Sequence, residues 1–396
     1  MTNSETKNFS QNVSSSYHLG GKCSDECKKD SLNVPKLRFK GYNEEWKQNK
    51  LGNLFEIKAG GDIDNKKLSK NKNEQYKYPV YANALQNNGL YGYSDIYKIS
   101  GETITVTGRG DVGHAIARKE NYYPIVRLLI LKPIVKQDVD FWANAINNTR
   151  IFVESTGVPQ LTAPQLAKIK IYYPSLPEQE KIAEFLTLID KKIEKQKELV
   201  ELLKKYKRGL LSQIFSQKLR FKDDNGNYYP NWEEKRLEEI LKIKHGKSQK
   251  EIECTNGKYP ILATSGKIGK TNAYLWDKPC VLIGRKGTID KPQYMDTPFW
   301  TVDTLFYSEV FKENNAKYLY YLFYTINWKK YDESTGVPSL SAKSIERIKV
   351  TLSIDYSEQL IISKILSTFD NKIQQEKCIL NYLQTYKKGL LQQMFI

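Results

Sequence analysis

Two long stretches of the chain carry apolar residues at alternating spacings of three and four. In the first, Leu186, Ile189, Ile193, Gln196, Val200, Leu203, Lys207, Leu210 and Ile214 form the seam. In the second it is Leu366, Phe369, Ile373, Glu376, Leu380, Leu383, Lys387, Leu390 and Met394, with polar interruptions at the same two places. The first stretch, Glu178 to about Gln217, has no Pro and is dense in Glu, Lys and Leu, which favour helix. A period sustained over about four heptads predicts two long helices that pair as a coiled coil. The intervening blocks read instead as short strands broken by Gly, Asn and Pro: Tyr78–Ala82, Thr103–Val106, Ile125–Leu131, Ile169–Tyr173 and Tyr259–Ala263. Helices are expected near Phe141–Phe152 and Ala316–Lys329. The blocks are therefore α+β.

The two halves repeat each other. Glu154-Ser155-Thr156-Gly157-Val158-Pro159 recurs letter for letter as Glu333-Ser334-Thr335-Gly336-Val337-Pro338. Glu178-Gln179 returns as Glu358-Gln359, and Tyr206-Lys207-Arg208-Gly209-Leu210-Leu211 as Tyr386-Lys387-Lys388-Gly389-Leu390-Leu391. At the front, Leu37-Arg38-Phe39, Trp46, Leu51, Ile57 and Gly60 return as Leu219-Arg220-Phe221, Trp232, Leu237, Ile243 and Gly246. The middles match poorly, apart from an apolar run into Gly108-Arg109 and another into Gly284-Arg285. Like ends with unlike middles imply one scaffold presenting two different surfaces.

The boundaries follow: a poorly ordered polar tail over 1–34, blocks at 35–176 and 219–356, and helices at 177–218 and 357–396. The first helix runs straight from one block into the next, which predicts a stiff rod about 60 Å long at 1.5 Å per residue. A second helix that buries its seam on the first must run antiparallel to it. The expected register sets Lys207 against Glu376 and Gln196 against Lys387, pairing the polar seam residues. The expected fold class is thus α+β: two α/β domains joined by an antiparallel pair of long coiled-coil helices, with a pseudo-two-fold internal repeat.

Charge sharpens the picture. Against 45 acidic residues stand 62 Lys and Arg, a formal net charge of +17, and most of the surplus lies in the two blocks. Aromatics at 12% suit packed cores, so this is not a disordered basic tail but a globular protein that suits a polyanion. Two basic domains at a fixed separation suit two short, unlike DNA sequences separated by unread base pairs. No run approaches the roughly 18 apolar residues of a membrane span, and the polar N-terminus lacks a signal core, so a cytoplasmic protein is expected. The cysteines at 23, 27, 254, 280 and 378 have no framework spacing. Cys23 and Cys27 with His18 lack a fourth ligand, and no metal is expected.

Catalytic signatures are thin. Gly108-Arg109-Gly110-Asp111-Val112-Gly113 fits a dinucleotide fingerprint, but Pro124 soon follows and the second copy lacks the pattern. Gly246-Lys247-Ser248 ends like a P-loop, with Leu241 where the earlier glycine belongs. No Pro-Pro dipeptide exists, so the Asn-Pro-Pro-aromatic loop of adenine methyltransferases is missing. Better candidates are Arg109, Arg285 and Lys286, which follow the apolar runs where an Arg can reach guanine. With them go Asn83, Gln86 and Asn87 in one block and Thr264, Ser265 and Lys267 in the other, after the aligned strands. Amide side chains suit adenine, and suit turns equally.

In combination, the paired Ser-Thr-Gly-Val-Pro segments, the Glu-Gln opening each helix, the Lys-(Arg/Lys)-Gly-Leu-Leu near each helix end and the Leu-Arg-Phe…Trp openings resemble the specificity subunit of type I restriction-modification systems. The resemblance covers 35–396. It implies two target-recognition domains that each read half of a bipartite DNA sequence, on helices that dock two modification subunits alongside restriction subunits. Enzymology would then belong to those partners, using S-adenosylmethionine, ATP and Mg2+, with no catalytic residue or cofactor in this chain. The alternatives are a stand-alone DNA-cleaving or DNA-modifying enzyme and a scaffold that uses its basic domains for protein contacts.

Overall fold

The computed structural model describes residues 33–151 and 157–396. Residues 1–32 of the expected tail, with Cys23, Cys27 and His18, together with Phe152 and Glu154-Ser155-Thr156, lie outside the described residues. The chain divides into two compact units: residues up to Leu186 together with Lys388–Ile396, and Thr187–Lys387.

In the first unit, β1 (Lys47–Lys50) leads through the short helix α1 (Leu51–Leu54) to β2 (Phe55–Ala59). Next come β3 (Leu68–Ser69), β4 (Tyr78–Tyr81), β5 (Leu90–Ser94), β6 (Thr103–Thr107), β7 (Ala115–Arg118), β8 (Tyr123–Pro124) and β9 (Leu128–Pro133). After these follow α2 (Val139–Asn148), α3 (Ala163–Ala167), β10 (Lys170–Tyr173) and the long helix α4 (Leu176–Phe215). The strands make one sheet in the order β2-β9-β6-β7, a second in the order β3-β5-β4-β8 and a β1-β10 pair. Strand β6 is buried throughout, as a central strand requires. The strand expected from Ile125 begins only at Leu128, because Arg127 adopts a left-handed φ of 68° and ends any ladder before it.

The second unit has β11 (Glu233–Arg236), β12 (Leu241–Lys244), β13 (Tyr259–Ala263), β14 (Gly266–Thr271), β15 (Cys280–Gly284), β16 (Gln293–Met295), β17 (Trp300–Thr301) and β18 (Leu305–Val310). Then come α5 (Ala316–Phe323), α6 (Ala342–Glu346), β19 (Lys349–Leu352) and the long helix α7 (Tyr356–Met394). Its sheets run β12-β18-β15-β16, β14-β13-β17 and β11-β19. Helix α5 stops before the expected Lys329, where Trp328 folds back and donates its indole N–H to the Phe323 carbonyl.

The diverged middles are therefore one frame built twice. Both β4 and β13 pair antiparallel with the following strand across a bulge, and parallel with a short later strand. Only β3 lacks a counterpart strand. The repeated glycine has a steric reason. A Cβ on Gly60 would meet the Ile125 carbonyl oxygen at 2.5 Å, and one on Gly246 would collide with the Val302 carbonyl.

The repeated Glu-Gln pairs open the long helices and are fully buried. Gln179 accepts from the Asp138 N–H and donates to the Pro174 carbonyl; Gln359 accepts from the Asn315 N–H and donates to the Ser353 carbonyl. Asp138 and Asn315 cap α2 and α5, so each Gln ties the root of a long helix to the cap of a short one. Glu178 takes both guanidinium bonds of Arg38 at 2.7 Å. Glu358 instead accepts from the Trp232 indole at 2.8 Å, with Arg220 3.7 Å away. Each tryptophan also packs against the end of a long helix, Trp46 on Phe395 and Trp232 on Phe215.

Within the second unit α4 and α7 pair antiparallel, and burial follows the expected seam: Ile189, Ile193, Val200, Ile373, Glu376 and Leu383 are buried, with Leu203, Phe369 and Leu380 partly so. Leu186 and Leu366 are fully buried as well. The register differs from the expected one. Lys207 reaches Asp370 at 2.6 Å, Lys387 reaches Asp190 at 2.6 Å and Gln196 donates to Glu376 at 2.6 Å. Periodicity marks only seam positions, whereas the lysines pair with aspartates flanking the seam. Glu376 needs no lysine across the seam, because Lys372, one turn back on the same helix, already meets it at 2.7 Å. Hydrogen bonds from Lys372 and then Gln196 hold the Glu376 carboxyl below the usual carboxylate range. The two Lys–Asp pairs are images of each other under the repeat, and Gln196 faces its own repeat partner 180 positions on.

Candidate nucleic-acid interface

In each unit the loop after β4 or β13, the loop after β6 or β15, and the Gly-Val-Pro segment come together. In the first unit Asn83 accepts from the N–H groups of Gly108 (2.6 Å) and Arg109 (3.1 Å) and donates to the Arg109 carbonyl (2.7 Å). Its amide is spent on the backbone, so Asn83 positions Arg109. The loop then pairs with the Gly-Val-Pro segment: Gly110 N–H donates to the Pro159 carbonyl at 3.0 Å, and Arg109 bridges Gln160. Gly108 is needed for this approach, since a Cβ there would meet the Arg127 carbonyl at 2.6 Å. The Arg109 guanidinium has no partner among the described residues.

Gln86 and Asn87 stand exposed on a turn, Gln86–Gly89, in which Asn87 and Asn88 take left-handed φ of 50° and 53°. Asn tolerates that backbone better than most residues. Beneath the turn lies Arg118, only 5% exposed, which sequence reasoning missed. It donates to the Asn88 carbonyl at 2.6 Å and to the Thr105 hydroxyl at 3.0 Å, and stacks on the Tyr81 ring at 3.5 Å. Burial lowers its pKa from the ordinary arginine value. Burial and then the hydrogen bond to Glu120 raise that of Tyr81. The clue in the sequence was an arginine ending a strand otherwise made of Ala and Ile.

In the second unit Thr264 and Ser265 form a tight hairpin turn between β13 and β14, closed by Gly266 at φ 108°. The Thr264 methyl lies against Gly284, 3.1 Å from where a Cβ would stand. Arg285 donates to the Asp303 carbonyl at 3.3 Å; Lys286 is exposed and its ammonium has no partner among the described residues. Lys267, at the head of β14, lines a shallow groove of about 550 Å³ with Glu253, Cys254 and Lys270. Gly287 N–H donates to the Pro338 carbonyl at 2.8 Å and Lys286 bridges Ser339. Arg109 therefore corresponds in structure to Lys286, one residue away from the Arg285 that the sequence match implied. The shift arises because β15 carries its glycine as the last strand residue, while in the first unit Gly108 follows β6.

The dinucleotide fingerprint dissolves: Gly110 and Gly113 take positive φ in a turn that leads into the strand β7 instead of a helix. Among the described residues no three His, Cys, Asp or Glu gather as a metal site, and no helix is long and apolar enough to cross a membrane.

Comparison with known proteins agrees with this frame. A protein named a type I specificity subunit from Mycoplasma pneumoniae is 33% identical over 141 residues, 35% of this chain and 39% of the relative. One of the same name type from Mycoplasma genitalium is 23% identical over 390 residues, 91% of this chain and 96% of the relative. The chain spans less than half the length of the first two curated relatives it matches. The crystal structure of a type I restriction-modification S subunit from M. genitalium superposes with a TM-score of 0.68 at 22% identity, covering 92% of this chain and 99% of that one. Another type I system structure reaches 0.53 at 13% identity, over 88% and 97%. The profile of the type I restriction modification DNA specificity domain matches twice, at residues 43–204 and 229–385, and on that double match the chain belongs to this family.

Proposed function

We propose that the chain is the DNA-reading specificity subunit of a type I restriction-modification complex, each unit reading one half of a bipartite target. One observation carries this. Two domains share strand order, bulge and loop attachments, yet differ at the loop beside a basic residue whose charged end has no partner among the described residues. A scaffold for one repeated partner would have no reason to vary there. The net charge of +17 supports a polyanionic ligand.

The partners follow from the helices. Leu199, Leu202 and Tyr206 on α4, and their repeat images Ile379, Tyr382 and Tyr386 on α7, form two apolar stripes outside the seam; all but the partly buried Tyr386 are exposed. Two like stripes suit two copies of one subunit, the modification subunit. Modification and restriction subunits would then supply methyl transfer with S-adenosylmethionine and ATP-driven cleavage with Mg2+ in the cytoplasm, and this chain no catalytic group.

The test replaces residues 35–176 with the block of another system and maps methylated adenines in cells carrying the full complex. One half of the target is expected to change. Movement of both halves would defeat independent reading, and turnover of DNA by the purified chain with metal or methyl donor would favour a stand-alone enzyme.

A further inference from the structure

The one hexapeptide that the two units share letter for letter has no structural reason to be shared in full. In the second unit it is a closed loop. Asp332 accepts from the N–H groups of Ser334 and Ser339, and Glu333 N–H donates to the Ser339 carbonyl. The Glu333 carboxylate is taken by the hydroxyls of Ser341 and Ser344. These bonds fix the ends and leave the tip, Thr335 to Pro338, standing out.

Three features of the tip go unused by the fold. Gly336 has no left-handed φ and nothing within 4 Å of a Cβ placed on it, so the chain itself would accept a side chain there. Val337 is 67% exposed, and its counterpart Val158 is 57% exposed. The N–H groups of Thr335, Gly336 and Val337 have no partner among the described residues. A small residue in open space, an apolar side chain in solvent and consecutive free donors all await something outside the chain. That something must be the same for both units, because the tip is the same while the reading loops are not.

The tip is also tied to the basic loop, through Pro338 to Gly287 in one unit and Pro159 to Gly110 in the other. It therefore meets whatever Lys286 and Arg109 meet. In the second unit, with Glu333 engaged by Ser341 and Ser344, the exposed surface of the tip is neutral and donor-rich beside the Lys286 ammonium.

We propose that the Gly-Val-Pro tip of each unit is a sequence-independent contact to the sugar–phosphate backbone of the DNA duplex. In the second unit the N–H groups of Thr335, Gly336 and Val337 donate to a phosphate oxygen; in both units the glycine, with open space where a Cβ would stand, admits the close approach, and the exposed valine lies on the sugar. The duplex backbone is identical at both half-sites whatever the bases, which accounts for an invariant tip between variable readers. This rests on the DNA-reading function proposed above.

The test compares the full chain with Gly336→Ala, Gly336→Val and Val337→Ser, measuring affinity for target and scrambled duplexes across salt concentrations, with melting temperature as the folding control. Gly336→Val is expected to weaken both duplexes alike, about tenfold, as loss of a hydrogen bond to a charged oxygen predicts, with Gly336→Ala intermediate and target preference unchanged. Because a backbone donor carries no charge, the salt slope should stay the same, whereas Lys286→Ala should lower it by about 0.9. Unchanged affinity in all three folded variants overturns the proposal, as does a change in target preference. Lost co-purification with the modification subunits at unaltered DNA affinity would make the tip a protein contact instead. Failure of the unsubstituted chain to bind DNA in a salt-dependent way would remove the underlying function, and is told apart because it appears without any substitution.

Discussion

The loop that leaves β4 and the one that leaves β13 occupy the same place in two domains of the same strand order, yet they are built by different means. In the first unit the connection over 82–89 is long, bends twice through left-handed asparagines and rests on a buried arginine. In the second it is a tight hairpin turn over Thr264-Ser265 that needs only a glycine. The position of Arg118 opposite Thr103 is held in the second unit by Met295 opposite Cys280. The frame thus fixes where a reading loop starts and stops. What it does not fix is how much support the loop needs: the first unit supplies it with Arg118 from the neighbouring strand, and the second does without.

The same contrast holds at the helix roots, where the largest effect is expected. Arg38→Ala leaves the Glu178 carboxylate buried without its cation, at a cost of about 3–5 kcal/mol. Arg220→Ala should cost less, about 2 kcal/mol: Glu358 keeps the Trp232 donor and Arg220 stands off at 3.7 Å, so most of the loss is the two bonds from Arg220 to the Tyr229 and Pro230 carbonyls. Denaturant unfolding of both variants checks this, and equal losses would erase the distinction between the two roots. Arg118→Met, which gives the first unit the residue of the second, should cost about 2–3 kcal/mol by taking the donor from the Asn88 carbonyl and leaving the Thr105 hydroxyl only its long bond to the Ile116 carbonyl. It should also blur recognition of one half-site while sparing the other, as methylation mapping would show. If both halves blurred, the arginine would be supporting more than its own loop.

The smallest effect concerns acid. The Glu376 carboxyl titrates below its ordinary value in the folded chain, so its contribution is complete above the unfolded value and disappears as pH falls through the folded one. Melting temperature should therefore drop between about pH 5 and pH 3 slightly more in the parent than in Glu376→Gln. Superimposed curves would mean that this contact carries no acid sensitivity.

Much of this was legible in the sequence. The seam, the antiparallel pairing and the alternation of strand-rich blocks with long helices follow from periodicity and from an internal repeat, because burial imposes spacing on side chains. The helix register was not legible, since it depends on Asp190 and Asp370, which lie one residue beside the seam and carry no periodic signal. Nor was the match of Arg109 to Lys286, because strands align by backbone hydrogen bonds and leave residue identity free to drift by one. At Asn83 an amide suits a turn as well as adenine, and here the loop takes its oxygen and one of its two N–H donors, a use that no sequence pattern marks. For Arg118 the only local signal is its place at the end of an Ala-Ile strand, which an exposed arginine shares.

Where Gln196 meets Glu376, the repeat looks at itself. The two Lys–Asp pairs join different positions of the two copies; at this crossing one and the same repeat position is its own immediate surroundings. A glutamate in both copies would set two carboxylates face to face, and a glutamine in both would give up the charge that Lys372 now answers. Divergence between duplicated halves is usually pictured as freedom, but at the midpoint of these helices it is an obligation to stay unlike.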